Sequence, residues 1–169
     1  MGGTSELDDE HFLKEVIMGL DNGFVLKHPD HKDLACEIAY FRNYYELDGW
    51  IRHNCEETYK GSEWFKITIE SLKALKDYIK PIYDVLVKID DGLISKYDDT
   101  TYNKSTIAKI EAVAYSNEFS PLSSQSSFAG HKLIHLYQSI LSMIEILDIQ
   151  KLKDDEEDKI WFIEFYSSY

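Results

Sequence analysis

Two cysteines, Cys36 and Cys55, are the only thiols in a chain of 169 residues. They lie outside any CxxC or metal-type pairing, so neither a disulfide framework nor a structural zinc site organises the fold. Reduced, inert thiols are the expectation for such a pair. Positive charge is scarce, with 18 Lys and Arg against 31 Asp and Glu and a formal net charge of −13. That balance repels a phosphate backbone and excludes direct nucleic-acid binding as the expected role. It favours solubility and attraction to basic partners. No stretch approaches the ~20 apolar residues of a membrane span. The N-terminal segment MGGTSELDDEHFLKEVIMGL begins acidic, unlike the basic start of a secretory signal. A cytoplasmic protein with no membrane partner is expected. Also missing are a P-loop, a GxGxxG turn and a GxSxG elbow, the common fingerprints of nucleotide binding and of serine nucleophiles.

What is present is apolar patterning and aromatics, including twelve Tyr. At this length one domain can bury a substantial core without staples. Residues 1–17 are polar and acidic and read as an N-terminal extension, leaving 18–169 as a single globular domain. Phe24-Val25-Leu26 after a turn-rich Gly19–Gly23 predicts a strand over about 20–27. Pro29 ends it, and Asp30 or His31 opens a helix predicted to run to Glu56. Leu34, Ile38, Phe41 and Tyr45 make one stripe of that helix, and Tyr44, Leu47, Ile51 and Cys55 a second. Gly49 inside it weakens it by roughly 1 kcal/mol.

Glu63–Ile67 reads as a strand and Thr68 as the N-cap of the next helix. Leu72, Leu75, Ile79, Ile82, Leu86 and Ile89 step by three and four, with Pro81 expected to break or kink the helix. Asp90–Asn103 is polar and predicted to be a loop. A shorter helix capped by Ser105 or Thr106 carries Ile107, Ile110, Val113 and Ala114, and the Ser-rich stretch 117–130 is a long loop. His131–Ile149 is apolar almost all round and reads as a central helix. Lys151–Asp158 is a charged linker, and Ile160–Phe165 a strand in which Trp161, Ile163 and Phe165 alternate with Phe162, Glu164 and Tyr166. The predicted fold class is α+β and predominantly helical: about four main helices packed with a small antiparallel sheet of three short strands.

Met18-Gly19-Leu20-Asp21 before a strand, the helix Ala39-Tyr40-Phe41-Arg42-Asn43-Tyr44-Tyr45-Glu46-Leu47-Asp48-Gly49-Trp50-Ile51, the strand-to-helix junction Ile67–Leu72 and the tail Phe165-Tyr166-Ser167-Ser168-Tyr169 occur in that order. Together they resemble a family of small phage and bacterial proteins. Its members begin MGLD, carry a Tyr-Trp-Arg-Lys…Ile-His-x-Trp-Phe helix and end Ser-Ser-aromatic. The resemblance spans about residues 18–169. It departs from the family pattern at Asp48, where the family has His, and at residues 1–17, which precede the usual starting Met. It implies no agreed activity, only a phage or prophage setting and an accessory role such as countering host defence.

The candidate chemistry is sparse. Asp48 falls on the apolar stripe with Arg52 four residues on to pair with it, or else the helix face turns to solvent there and the two make an ordinary surface pair. Arg42 beside Tyr40 and Phe41 can stack and bind an anion, or bridge to Glu46. His131 and His135 have the spacing of two metal ligands, but Lys132 stands where a catalytic Glu would be and two ligands fall short of a site, so no metal is expected. A polar site for a partner or ligand would gather Asp21, Arg42, Asp48, Arg52 and His53. An acidic surface would comprise Asp98, Asp99, Asp154, Asp155, Glu156 and Glu157. These features point to a non-enzymatic accessory protein without cofactors. It would act by protein–protein interaction as an acidic inhibitor docking on a host protein that is basic or binds nucleic acid. Two alternatives remain open: a small-molecule-binding protein or enzyme with its site around Asp21, Arg42 and Asp48, and a homo-oligomeric scaffold using the C-terminal strand as an edge.

Overall fold

The computed structural model of the protein describes residues 19–88, 102, 104–114, 116–151 and 160–169. Its elements in order are β1 (Asp21–Lys27), β2 (Ala35–Arg42), α1 (Tyr45–Asn54), β3 (Trp64–Ile67), α2 (Ile69–Lys88), α3 (Lys104–Ala114), α4 (Ala129–Lys151) and β4 (Phe162–Ser168). The class is α+β. The sheet has four strands instead of three, all antiparallel, in the order β2-β1-β4-β3. The expected N-terminal extension and most of the loop before α3 and of the linker after α4 lie outside the described residues.

The added strand comes from the helix predicted over 31–56. Only its second half is helical, and Ala35–Arg42 pairs with β1 instead. Ala39 and Phe41 point into the core while Tyr40 and Arg42 point out, which is a period of two. The register shifts between Phe24 and Val25: Phe24 faces Ala39 and Val25 faces Glu37, leaving Ile38 as an extra, unpaired residue. This β-bulge changes the phase of the alternation. It thereby puts Ile38 and Phe41, three apart, both against the core as a helix would, while Leu34 is exposed ahead of β2 and Tyr45 belongs to α1.

The patterning of α2 holds. Leu72, Leu75, Ile79, Ile82 and Leu86 are buried along α2. The backbone N–H of Ser71 donates to Thr68 Oγ1 and that of Thr68 to Ser71 Oγ, both at 3.0 Å, a reciprocal cap. The helix continues through Pro81, on a side where Pro81 and Asp77 are both exposed. Water can satisfy the carbonyl that the ring leaves unpaired there. Tyr83 of α2 stacks on Tyr137 of α4 at 3.9 Å between centroids. α4 buries Leu133, Leu136, Tyr137, Ile140 and Met143, but Leu141 is 45% exposed, so one side of this helix faces water. Phe24, Phe41, Phe65, Ile163 and Phe165 project from one sheet face into the core they share with α2 and α4. Among the described residues no helix is long and apolar enough to cross a membrane.

Candidate functional site

With the apolar side chains of the strands drawn into the core, the alternate positions stand on the other face of the sheet. Register lines them into rows. Arg42, Asp21 and Ser168 make the first, Tyr40, Gly23, Tyr166 and Trp64 the second, and Glu37, Val25, Glu164 and Lys66 the third. Local alternation puts each residue there, but only strand pairing joins residues so far apart in the chain.

The second row depends on Gly23. A Cβ at this position would lie 2.4 Å from the Ala39 carbonyl oxygen and 3.2 Å from Tyr166 Cε1. The missing side chain lets the Tyr166 ring lie across β1 and donate its hydroxyl to Glu37 Oε2 on β2, at 2.6 Å. Burial and then this carboxylate push the Tyr166 hydroxyl well above the ordinary tyrosine range. Trp64 packs beside Tyr166, ring centroids 5.4 Å apart, and Lys27 Nζ sits 3.3 Å from the Trp64 ring centroid. Lys27 also pairs with Glu164 Oε1 at 3.0 Å, and the Thr58 hydroxyl donates to the other oxygen of that carboxylate. Glu164 is only 5% exposed, so both of its oxygens need these partners.

In the first row, Asp21 accepts from the Tyr40 hydroxyl and from Arg42 Nη1, the latter at 2.8 Å. The Tyr40 hydrogen bond and then Arg42 hold the Asp21 carboxyl below the usual carboxylate range, while Asp21 raises the Tyr40 hydroxyl. Tyr40 remains 46% exposed. The face therefore presents Tyr40, Tyr166 and Arg42 held in place by carboxylates, and Trp64 held by Tyr166 and Lys27. Two clefts flank Trp64. One of about 500 Å³ has Ser62, Glu63, Tyr166 and Ser168 in its wall. The other, of about 350 Å³, lies toward Lys27 and Thr58.

Four of the five residues expected to form one polar site fall into two clusters, and His53 joins neither. Asp21 and Arg42 join β1 to β2 on the open face. Asp48 and Arg52 join α1 to the start of β3: both Asp48 oxygens accept from Arg52 Nε at 3.1 Å, and Arg52 also bonds Glu63. Asp48 is buried, although most of the stripe it was expected to extend lies on or just before β2 and not on α1. His53 is exposed on α1 and makes no hydrogen bond or ion pair with a described residue. Arg42 does not bridge to Glu46. Glu46 instead accepts from the Ser124 hydroxyl at 2.5 Å, the Gln125 backbone N–H at 3.0 Å and the Ser126 hydroxyl. Ser126 Oγ in turn accepts from the Tyr45 N–H at 3.2 Å, capping α1 where Tyr44 provides no side-chain cap. The serine-rich loop is thus tied to the α1 N-terminus.

The His135 ring packs on Phe41 at 5.0 Å, and its pKa is lowered by burial and then by His131. No group of three or more metal-ligating side chains converges among the described residues. Asp98, Asp99, Asp154, Asp155, Glu156 and Glu157 lie outside the described residues. Residues 1–18, 89–101 and 152–159 hold 14 of the 31 carboxylates but only four of the 18 basic side chains, so most of the negative excess resides there. The described body is close to neutral.

Sequence reasoning missed Gly23, Lys27, Glu37, Trp64, Glu164 and Tyr166 as a group. One signal was available: Glu164 and Tyr166 fall on the polar side of the alternation in the predicted C-terminal strand. Compared with protein-family models, with curated proteins and with solved structures, the chain matches none.

Proposed function

We propose that this is a binding protein that docks a partner protein on the face of its sheet that no helix covers among the described residues. The observation that carries this reading is the array on that face: Tyr40, Trp64, Tyr166 and Arg42, each held by carboxylate, aromatic or ammonium neighbours. Tyr, Trp and Arg are the residue types that dominate binding energy at protein interfaces. Fixing their rotamers beforehand lowers the entropy lost on docking. Four strands ~4.8 Å apart, with seven residues in β1 at ~3.3 Å each, give a face of roughly 19 by 23 Å. That is about half the ~800 Å² per partner of a standard interface. The loops over 28–34 and 56–62 have to contribute the remainder.

The acidic segments supply long-range attraction to a basic partner and act on encounter rate more than on the bound state. In the phage-accessory setting that the resemblance implies, that partner is a host protein. A polar site at Asp21, Arg42 and Asp48 gains no support, because both carboxylates already have cationic partners. An oligomer built on the C-terminal strand as an edge gains none either, since β4 lies between β1 and β3.

The test compares three immobilised proteins in host lysate and then by surface plasmon resonance: the wild type, Tyr40→Ser/Arg42→Glu, and a variant with Asp154, Asp155, Glu156 and Glu157 changed to their amides. The face variant should lose the partner through faster dissociation. The amide variant should associate more slowly and with less salt dependence, yet still bind. A partner held equally by the face variant and the wild type would overturn the reading.

A further inference from the structure

At the Lys27 end of the open face, the cleft of about 350 Å³ is bounded by the turn after β1 on one side and by Thr58 and Tyr59 on the other. Its volume is on the scale of a small-molecule site, at the low end of the usual range. Three of its walls are aromatic: Trp64, Tyr59 at 69% exposure and Phe162 at 38%. The sheet and the core do not use the exposed parts of Tyr59 and Phe162.

The charge in the cleft runs against that of the chain. Glu164 is its one carboxylate, and Lys27 and Thr58 neutralise and occupy both of its oxygens. Lys32 and His28 remain in the wall, and Lys32 has no carboxylate partner among the described residues. His28 has a defined orientation. Its Nδ1 accepts the Asp30 backbone N–H at 3.1 Å, so the neutral ring carries its proton on Nε2 and is a donor there. Trp161 holds the ring edge-on at 5.0 Å and His31 lies 4.9 Å away.

We propose that this cleft binds a small planar organic anion, its ring against Tyr59, Trp64 and Phe162 and its charged group at Lys32 and His28. A lone inorganic ion would leave the aromatic walls wet. An uncharged ring would leave the Lys32 ammonium without a counter-charge among the described residues. The shared chemistry is a ring carrying a carboxylate or a phosphate, and both an aryl carboxylate and a nucleoside monophosphate supply it. The cleft shares Trp64 and the two flanking loops with the docking face, but Tyr40 and Arg42 are not in its wall, so the Tyr40→Ser/Arg42→Glu variant separates the two readings.

Binding is read by Trp fluorescence and by thermal shift on the full chain. The probes are 4-hydroxybenzoate, adenosine 5′-monophosphate, adenosine and inorganic phosphate. At least one of the first two should bind with a Kd on the order of 1 mM or tighter and about tenfold tighter than adenosine or phosphate alone. Which of the two binds identifies the source of the anion. Lys32→Glu, a change at an exposed side chain, should weaken that probe by about tenfold or more, whereas Tyr40→Ser/Arg42→Glu should leave it unchanged. If neither ring-bearing anion binds at about 5 mM, or if Lys32→Glu binds as the wild type does, the proposal is overturned. Neither result bears on the docking variants, so the two readings fail separately.

Discussion

Gly23→Ala probes the close approach of β1 and β2 on which the open face depends. The new Cβ would lie 2.4 Å from the Ala39 carbonyl oxygen, against a floor of 3.0 Å for tolerated contacts, so the two strands would have to separate by at least 0.6 Å. The obstacle is backbone, which cannot rotate away as a side-chain tip can. The same Cβ would press on the Tyr166 ring at 3.2 Å and loosen its reach to Glu37. Overpacking of this kind costs about 1–3 kcal/mol. For a chain of this size each kcal/mol shifts Tm by roughly 2–4 °C, so a fall of about 2–12 °C is expected. Gly49→Ala is the opposite-signed control: nothing lies within 4 Å of its Cβ, and it sits exposed in α1. It should gain roughly 0.5–1 kcal/mol from helix propensity and melt a few degrees higher. Thermal unfolding followed by far-UV circular dichroism, with near-UV signals for the aromatic environment, measures both. A Gly23→Ala protein that melts at or above the wild type with unchanged near-UV signals would refute the β1–β2 pairing and its bulge.

Arg52→Met leaves Asp48 buried without its cation. Breaking a fully buried pair costs about 3–5 kcal/mol. Arg52 is 35% exposed here, so roughly 1–3 kcal/mol is expected by urea titration, with partial recovery when Asp48→Asn is added. Glu46→Ala removes the acceptor that ties Ser124, Gln125 and Ser126 to α1, so limited proteolysis should cut within 116–128 faster than in the wild type while the far-UV spectrum is kept. Because the Asp21 carboxyl is held below its usual range, its contribution is present above the unfolded value of about 3.9 and is lost as pH falls through the lower folded value. The denaturant midpoint difference between wild type and Asp21→Asn should therefore shrink as pH is lowered from about 6 towards about 2.

Local chemistry made much of the molecule legible. The three-and-four spacing of α2 forms an unbroken buried stripe, because a helix satisfies its own backbone and needs only one neighbour to cover that stripe. Thr68 acts as a cap because its bonds reach only to Ser71. The strand at Trp64–Ile67 was visible for a similar reason. β2 was not, since its bulged residue imitates a helical period and only the pairing with β1 decides between the two. The Asp48–Arg52 pair could be read at a spacing of four, whereas Glu63 as the second partner of Arg52 could not.

By itself the sequence determined the buried stripe of α2 and where that helix begins, that Arg52 stands one turn from Asp48 and that the negative charge is concentrated in a few runs, since each of these is fixed by neighbours within about one turn of chain. Only the tertiary structure decided that β4 is an inner strand, that Tyr166 reaches Glu37 across a glycine, and that Lys27 shields Glu164 beside Trp64. Those contacts join residues 129 and 137 positions apart. Nothing along the chain specifies the register that brings them together.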